Sequence, residues 1–428
     1  MIPAAIVSNI LGEIDPDEVI ALTAELVRIP SVWDPAAGTS EKPAGDFVTQ
    51  WAERQGFEVD VDPAAPGRPN VIVTWNAGQG ERTLMFEGHT DVVTPGDVAA
   101  WSRDPFGAQV AGCRMYGRGT NDTKGNLAAM LVAMAALKRS GVELAGTVIG
   151  AALCDEEDQM LGVQDFIRRG RADRVTAAVI CEPEDGLICT SQKGAIRARY
   201  TVTGRMSHGA MPLSGLNTAP AVARLIQGLH RLEVDAADRF GRDELLGWPS
   251  FTPTVIQAPP VGAAQLNVMP GQARVLVDVR TVPGEAHGEV RSQLASLAAE
   301  VERETREAYG AYDSRLGHRR SREDLQVQVE FLTDRPCTST DRRDPVVLAA
   351  DWATRRVTGE EPVYAGVPGA TDGTFLWALK GIPIVTMGAG DRHVPHQVDE
   401  WVDLDQLADT ARIYALTALR YLWPGSPR

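Results

Sequence analysis

Apolar residues recur at helical spacing through residues 17–29, where Val19, Ile20, Leu22, Leu26 and Val27 fall on one face. The pattern returns over 43–55, with Pro43 near its first turn. Short apolar runs at 71–75 and 84–87 predict buried strands. A long helical stretch is expected from about 126 to 139, then strands at 148–153 and 177–181. After Arg343 the rhythm resumes with helices at 345–355 and 372–379, a strand at 382–387 and a last helix from 404 to about 422. Strands alternating with helices predict an α/β fold, a largely buried sheet with helices on its faces.

The middle of the chain has a different period. Ile196, Ala198, Tyr200 and Val202 alternate with Arg197, Arg199, Thr201 and Thr203, the signature of a half-exposed strand. A helix bearing Val222, Leu225, Ile226 and Leu229 follows, then strands at 254–257 and 274–280. A helix bearing Val290, Leu294, Leu297 and Val301 comes next, then a strand at 327–331. This β-α-β-β-α-β order predicts a ferredoxin-like α+β domain at 188–335, inserted into a larger domain built from 1–187 and 336–428. The Arg-rich stretch 310–324 reads as a solvated loop.

Composition narrows the class of function. With 428 residues, 44% apolar and 23% charged, the chain is globular and too long for one core of roughly 100–200 residues. Fifty-seven acidic against 42 basic side chains leave a net charge of −15, which argues against a nucleic-acid or anionic-membrane partner. Residues 1–16 lack the basic start of a signal peptide, and no run of about 18 apolar residues occurs. The five cysteines form no CxxC pair and read as reduced. The expectation is a cytoplasmic enzyme with no membrane contact.

Seven histidines leave few candidates for metal or proton chemistry. His89 and Asp91 follow the strand at 84–87, the layout of a metal ligand whose ring orientation is fixed by a neighbouring carboxylate; a surface ion pair would read the same. Asp122 stands in the glycine-rich run 117–125 that opens the long helix, either as an N-cap or as a carboxylate aimed by a tight backbone. That run is no phosphate loop, because Lys124 is followed by Gly125 rather than Ser or Thr. Four successive carboxylates, Asp155 to Asp158, end the strand at 148–153, where like charges repel unless cations compensate. Glu182 ends the strand at 177–181, and His393 and His396 follow the strand at 382–387. All of these lie near C-terminal strand ends, where open α/β folds bind ligands. Two histidines and several carboxylates without a thiolate suit a pair of divalent ions such as zinc, with a carboxylate able to bridge them.

The succession GHTD, GRGTND-x-KG, DEE, EP, SHG, NV-x-PG, D-x-R and HQVDE resembles the acetylornithine deacetylase, succinyl-diaminopimelate desuccinylase and glutamate carboxypeptidase family of dinuclear zinc hydrolases. It covers about residues 17–419. The resemblance implies a zinc-peptidase-like catalytic domain with a lid and dimerisation domain. It also implies that His89, Asp122 and Glu182 hold one ion, that Asp122, Glu157 and His396 hold the other, and that Asp122 bridges. Glu156 is then the general base, Asp91 orients His89, and the Asp122–Thr123 peptide is cis. His393 is left as a loop residue. His208 matches a donor to the scissile carbonyl oxygen, supplied across a homodimer, and Asn267, Arg280, Thr371 and Asp372 match substrate-binding positions. Their ordinary alternatives are a turn histidine, a strand-edge ion pair and an N-cap.

The implied activity is metal-dependent hydrolysis of the amide bond of a small N-acyl amino acid, with zinc first and cobalt or manganese as alternatives. Glu182, where some relatives carry Asp, resembles the deacylase and desuccinylase branch. The rival within the family is a dipeptidase or carboxypeptidase. A non-catalytic binding module on the same fold is the rival from another class, yet neither Glu156 nor any implied ligand has been lost. No G-x-S-x-G run supports a serine hydrolase.

Overall fold

On the strand Arg82–His89, Leu84 and Phe86 enter one apolar cluster while Met85 enters the cluster on the opposite face. A strand buried on both sides belongs inside a sheet covered by helices. In the computed structural model of the chain, which describes residues 2–424, that strand is central in a nine-stranded mixed sheet. The strand order is Glu58–Ala65, Arg68–Asn76, Gly146–Leu153, Arg82–His89, Ala177–Ile180, Ile384–Thr386, Ile188–Gln192 and Thr338–Ser339, with Tyr364–Val367 also paired to Ile188–Gln192. Gly146–Leu153, Arg82–His89, Ala177–Ile180 and Ile384–Thr386 run parallel, so their C-terminal ends share one edge.

Helices Pro16–Val27, Lys124–Arg139, Pro345–Thr358 and Leu404–Tyr421 supply Leu26, Leu127, Val347 and Leu416 to the larger cluster. Helices Leu161–Arg168 and Gly373–Lys380 supply Val163, Phe166 and Leu376 to the other. The helix Lys124–Arg139 is buried nearly all round, which its small and apolar residues permit on every face. A separate three-stranded sheet pairs Trp401–Asp403 with Arg114–Tyr116, and that strand with Gln109–Ala111. The three-residue strands of that sheet are too short to give a periodic signal.

The chain divides into two compact units. The first runs to Gln192 and resumes over Thr338–Val367 and from Thr371; the second is Lys193–Cys337 with Pro368–Ala370. Ile188–Gln192 therefore lies in the large sheet. Its five residues are buried throughout, so their pattern carries no alternation that would mark the unit to which they belong.

The second unit has the chain order read from the sequence. Strands Gly194–Thr203, Ser250–Gln257, Gln272–Thr281 and Gln326–Arg335 form an antiparallel sheet, in the spatial order Ser250–Gln257, Gln272–Thr281, Gly194–Thr203, Gln326–Arg335. Helices Ala219–Phe240 and His287–Arg315 close its core through Leu225, Leu229, Leu294 and Val301. One expectation fails here: residues 310–315 continue the long helix, and part of the remaining Arg-rich stretch is pinned rather than solvated. The Arg320 side chain is almost fully buried, because Asp313 and two main-chain carbonyls satisfy its guanidinium. Cys113 is exposed and the other four cysteines are buried, all of them free. Among the described residues no helix is long and apolar enough to cross a membrane.

Candidate metal centre

Five side chains converge at the shared edge of the parallel strands. His89 ends Arg82–His89, Glu156 and Glu157 follow Gly146–Leu153, Glu182 follows Ala177–Ile180, and His396 lies beyond Ile384–Thr386. Asp122 precedes the helix Lys124–Arg139 and stands between the two histidines. Its Oδ1 is 3.0 Å from His89 Nε2, and its Oδ2 is 3.4 Å from His396 Nε2. Glu182 Oε1 lies 3.7 Å from His89 Nε2, and Glu157 Oε2 lies 2.9 Å from His396 Nε2. Two groups result, His89–Asp122–Glu182 and Asp122–Glu157–His396, each with its ligand atoms within 4.8 Å of one another. The Asp122–Thr123 peptide is cis. His393 belongs to neither group.

The second ring nitrogen of each histidine shows how its ring is set. His89 Nδ1 lies 2.9 Å from the backbone oxygen of Asp91, which makes Nδ1 an N–H donor and aims Nε2 at Asp122 and Glu182. The sequence suggested that the Asp91 carboxylate would accept this proton. Its nearest oxygen is 3.6 Å away, and the carboxylate instead accepts the backbone N–H groups of Glu156 and Glu157 at 3.2 and 3.1 Å. One residue thus orients both a histidine and the turn carrying two glutamates.

Electrostatics favour cations here. Burial pushes the carboxyls of Glu156, Glu157 and Glu182 above the usual carboxylate range, and the facing Asp122 carboxylate adds repulsion in each case. Hydrogen bonding to Asp122 and Glu157 lifts His396 to about 10. Burial alone would lower the pKa of His89, but the hydrogen bond to Asp122 and the negative charge of the nearby Asp91 and Glu182 carboxylates outweigh it and raise it well above the imidazole range. Glu157 Oε1 and Glu182 Oε1 are buried with no hydrogen-bond partner in the protein. Imidazole nitrogens, carboxylates and unpartnered oxygens facing one point fit two divalent ions.

Two supports escaped the sequence reading. Glu400 Oε1 accepts the N–H groups of Gly119, Asn121 and Asp122 at 2.9, 3.0 and 3.1 Å, while its other oxygen pairs with Arg118. Arg118 also donates to the His396 carbonyl, so this pair joins the loops bearing Asp122 and His396. On the other side, buried Arg68 lies between Glu41 and Asp155, 2.6 Å from the latter, with its guanidinium 4.4 Å above the Trp33 ring. Asp155 adopts a left-handed φ of 65° and accepts the N–H groups of Gln159 and Leu161, which turns the chain out of the strand at Glu156. The partners of Arg118 and Arg68 are tens to hundreds of residues away, and no local spacing announces them.

Of the residues expected at the substrate, Thr371 and Asp372 are buried in the first unit. Thr371 exchanges hydrogen bonds with Gln192. Asp372 occupies the N-cap position of Gly373–Lys380, as the sequence allowed, although its side chain makes no capping bond there. The other three are in the second unit. Arg280 pairs with Asp278 at 2.6 Å, Asn267 is exposed, and its carbonyl accepts the N–H of Gly209 at 2.7 Å. His208 is exposed on a two-residue strand paired with Val268–Met269. Its Nδ1 accepts the N–H of Ala210 at 3.0 Å. A backbone amide can only donate, so Nδ1 is the acceptor and Nε2 carries the proton.

Comparison with known proteins follows the same lines. The profile described as Peptidase family M20/M25/M40 matches residues 85–420. A curated relative named succinyl-diaminopimelate desuccinylase, from Methylobacterium radiotolerans, is 31% identical, with 96% of this chain and 98% of the relative covered. Among solved structures, an M20-family metallo-carboxypeptidase from Sulfolobus solfataricus superposes with a TM-score of 0.75 at 18% identity, covering 95% of this chain and 99% of that one. A dipeptidase from Saccharomyces cerevisiae gives 0.74 at 16% identity, covering 98% and 99%. At such identities these two speak for the fold alone.

Proposed function

The chain belongs to peptidase family M20/M25/M40 and is a metal-dependent hydrolase of linear amides, and we propose that it removes the acyl group from a small N-acyl amino acid carrying a further carboxylate. The observation that carries this reading is Asp122, whose two oxygens face one histidine each across a pair of His–carboxylate groups, with Glu156 buried beside them. In this proposal His89, Asp122 and Glu182 would hold one ion, and Asp122, Glu157 and His396 the other. When bound, two divalent ions (zinc first, cobalt or manganese next) would polarise the scissile carbonyl and make a water acidic enough to lose a proton near neutral pH.

The chain's own groups account for the proton steps. Glu156, with a carboxyl raised by burial, takes the proton from the attacking water and returns it to the departing amine nitrogen. Asp91 holds the Glu156 main chain while its carbonyl keeps His89 in the tautomer whose Nε2 faces Asp122. His208 offers Nε2–H to the carbonyl oxygen as that oxygen gains charge. Arg280 and Asn267 receive the substrate's carboxylate end, with Arg280 exchanging Asp278 for the substrate. Thr371 and Asp372 are kept as substrate-binding candidates of the first unit.

The relative named succinyl-diaminopimelate desuccinylase and the Glu182 signature favour a succinyl or acetyl group over a peptide. The reading includes a cytoplasmic homodimer associating through the second unit, where Met206, Met211, Ile256, Val261 and Leu266 are exposed apolar residues. The test is a panel of N-succinyl, N-acetyl and N-formyl amino acids against dipeptides, each with zinc, cobalt or manganese. Preferred turnover of an N-acyl amino acid supports deacylation. Preferred turnover of dipeptides replaces it with a peptidase, and no turnover of either removes both.

A further inference from the structure

His208 stands on an exposed turn, and exposed turns do not by themselves hold an imidazole in one place. After His208 the chain passes through a 3₁₀ turn, Pro212–Ser214, and returns to pair Leu216 with Arg205. The carbonyls of Pro212, Leu213 and Gly215 point toward the end of the long helix His287–Arg315 and the segment after it. Arg320 donates through Nη1 to Pro212 O at 3.1 Å and to Gly215 O at 2.8 Å. His318 Nε2 lies 3.2 Å from Leu213 O. Neighbouring contacts tie down the ends of the same loop. Arg205 reaches Asp324 and the Ser321 carbonyl, and the Tyr309 hydroxyl donates to Asn217 O at 2.7 Å.

Arg320 itself is built in. Its side chain is 4% exposed and that of Asp313 is 6% exposed. Nε donates to both Asp313 oxygens at 2.8 and 3.0 Å, while Nη2 lies 2.8 Å from Oδ1. The guanidinium carbon lies 4.6 Å from the centre of the Tyr309 ring. A planar fork fixed on one edge by a carboxylate and on one face by a ring has its remaining N–H groups aimed, and here they point at two carbonyls of the His208 turn.

We propose that Arg320 is a positioning residue for His208: held by Asp313, it fixes the Pro212–Gly215 turn and so keeps the His208 imidazole, with Nε2–H free, on a rigid support. This rests on the reading of His208 as donor to the scissile carbonyl oxygen. Rigidity matters for such a donor because a preformed hydrogen bond costs no reorganisation as charge develops. Removing the donor itself typically costs about 10²–10³-fold in kcat. Loosening its support should cost less, roughly tenfold.

The test uses the full-length, metal-loaded protein, with Arg320→Met and, because a lone buried carboxylate can unfold a domain, also the paired variant Asp313→Leu/Arg320→Met, which leaves no orphan charge. Hydrogen exchange of residues 207–217 should quicken at least tenfold in both, with Ala210, donor to His208 Nδ1, among the affected amides. On the N-acyl amino acid that the panel selects, kcat should fall roughly tenfold with KM nearly unchanged, and this loss should vanish in a His208→Ala background. Unchanged exchange over 207–217 overturns the proposal, as does a kcat loss that persists undiminished without His208. If His208→Ala alone leaves kcat intact, the reading of His208 fails and takes the proposal with it. If His208→Ala is damaging while Arg320→Met is silent, only the role of Arg320 falls.

Discussion

Glu400 Oε1 accepts the backbone N–H of Asp122 at 3.1 Å, so a carboxylate that faces neither imidazole holds the main chain of the residue standing between both. The three-stranded sheet makes this possible. Trp401 pairs with Tyr116, which sets Glu400 directly against the loop beginning at Gly117, whose N–H bonds to the Glu400 carbonyl at 2.9 Å. Glu400→Ala would leave Arg118 buried and unpaired and free three amides. The expected outcome is a loss of about 3–5 kcal/mol in unfolding free energy by denaturant titration, together with weaker metal retention on dialysis. A stability change below about 1 kcal/mol would mean that the pair holds nothing that water does not replace.

The two ligand groups share only Asp122, and that predicts separable metal sites. Elemental analysis of the purified protein should find up to two divalent ions per chain, His396→Ala and Glu157→Ala should each retain about one, and Asp122→Ala should lose both. Chelator should abolish turnover and added zinc, cobalt or manganese should restore it. Chelator-resistant turnover in metal-free protein would remove the dinuclear reading.

Glu156 and Glu157 are adjacent and nearly equally buried, yet only Glu157 touches a histidine. Glu156→Gln should therefore keep its metal and lose at least about 10²–10⁴ in kcat, with KM little changed, because the amide is nearly isosteric but cannot carry the proton. Glu157→Gln should lose metal, and excess metal should ease its defect. The reverse pattern of metal contents would exchange the two assignments.

Asp334 in the second unit gives a pH-dependent contribution whose sign is set. A hydrogen bond with His287 at 2.6 Å, opposed by partial burial and helped by Arg291, holds its carboxyl below the usual aspartate value. A depressed folded-state pKa adds stability that is present above the unfolded value of about 3.9 and is lost as pH falls through the folded value. Denaturation midpoints of the protein and of Asp334→Asn should therefore differ at pH 6, and the gap should close as the pH is lowered below about 4. A gap that does not change with pH would assign the effect to packing.

The sequence by itself determined the elements and the chemistry that they carry. Period-two alternation from Ile196 to Thr203 and helical spacing over residues 17–29 are local consequences of burying one face, so both could be read without a fold. His89, Asp122, Glu156, Glu157, Glu182 and His396 could be found because each stands just beyond or near an apolar strand, or just ahead of a long helix, where a charged side chain is costly unless it has work. What those residues touch was another matter. The Asp91 carboxylate bonds the amides of Glu156 and Glu157 rather than the imidazole of His89, because the turn at Asp155 brings those amides closer than the ring. Arg118 and Glu400 are 282 residues apart and Arg320 lies over a hundred residues from the Pro212–Gly215 turn that it grips. Local patterning is blind to such pairs because a buried arginine is stabilised by whichever carboxylate and carbonyls the fold brings to it. Only the tertiary structure decides which these are.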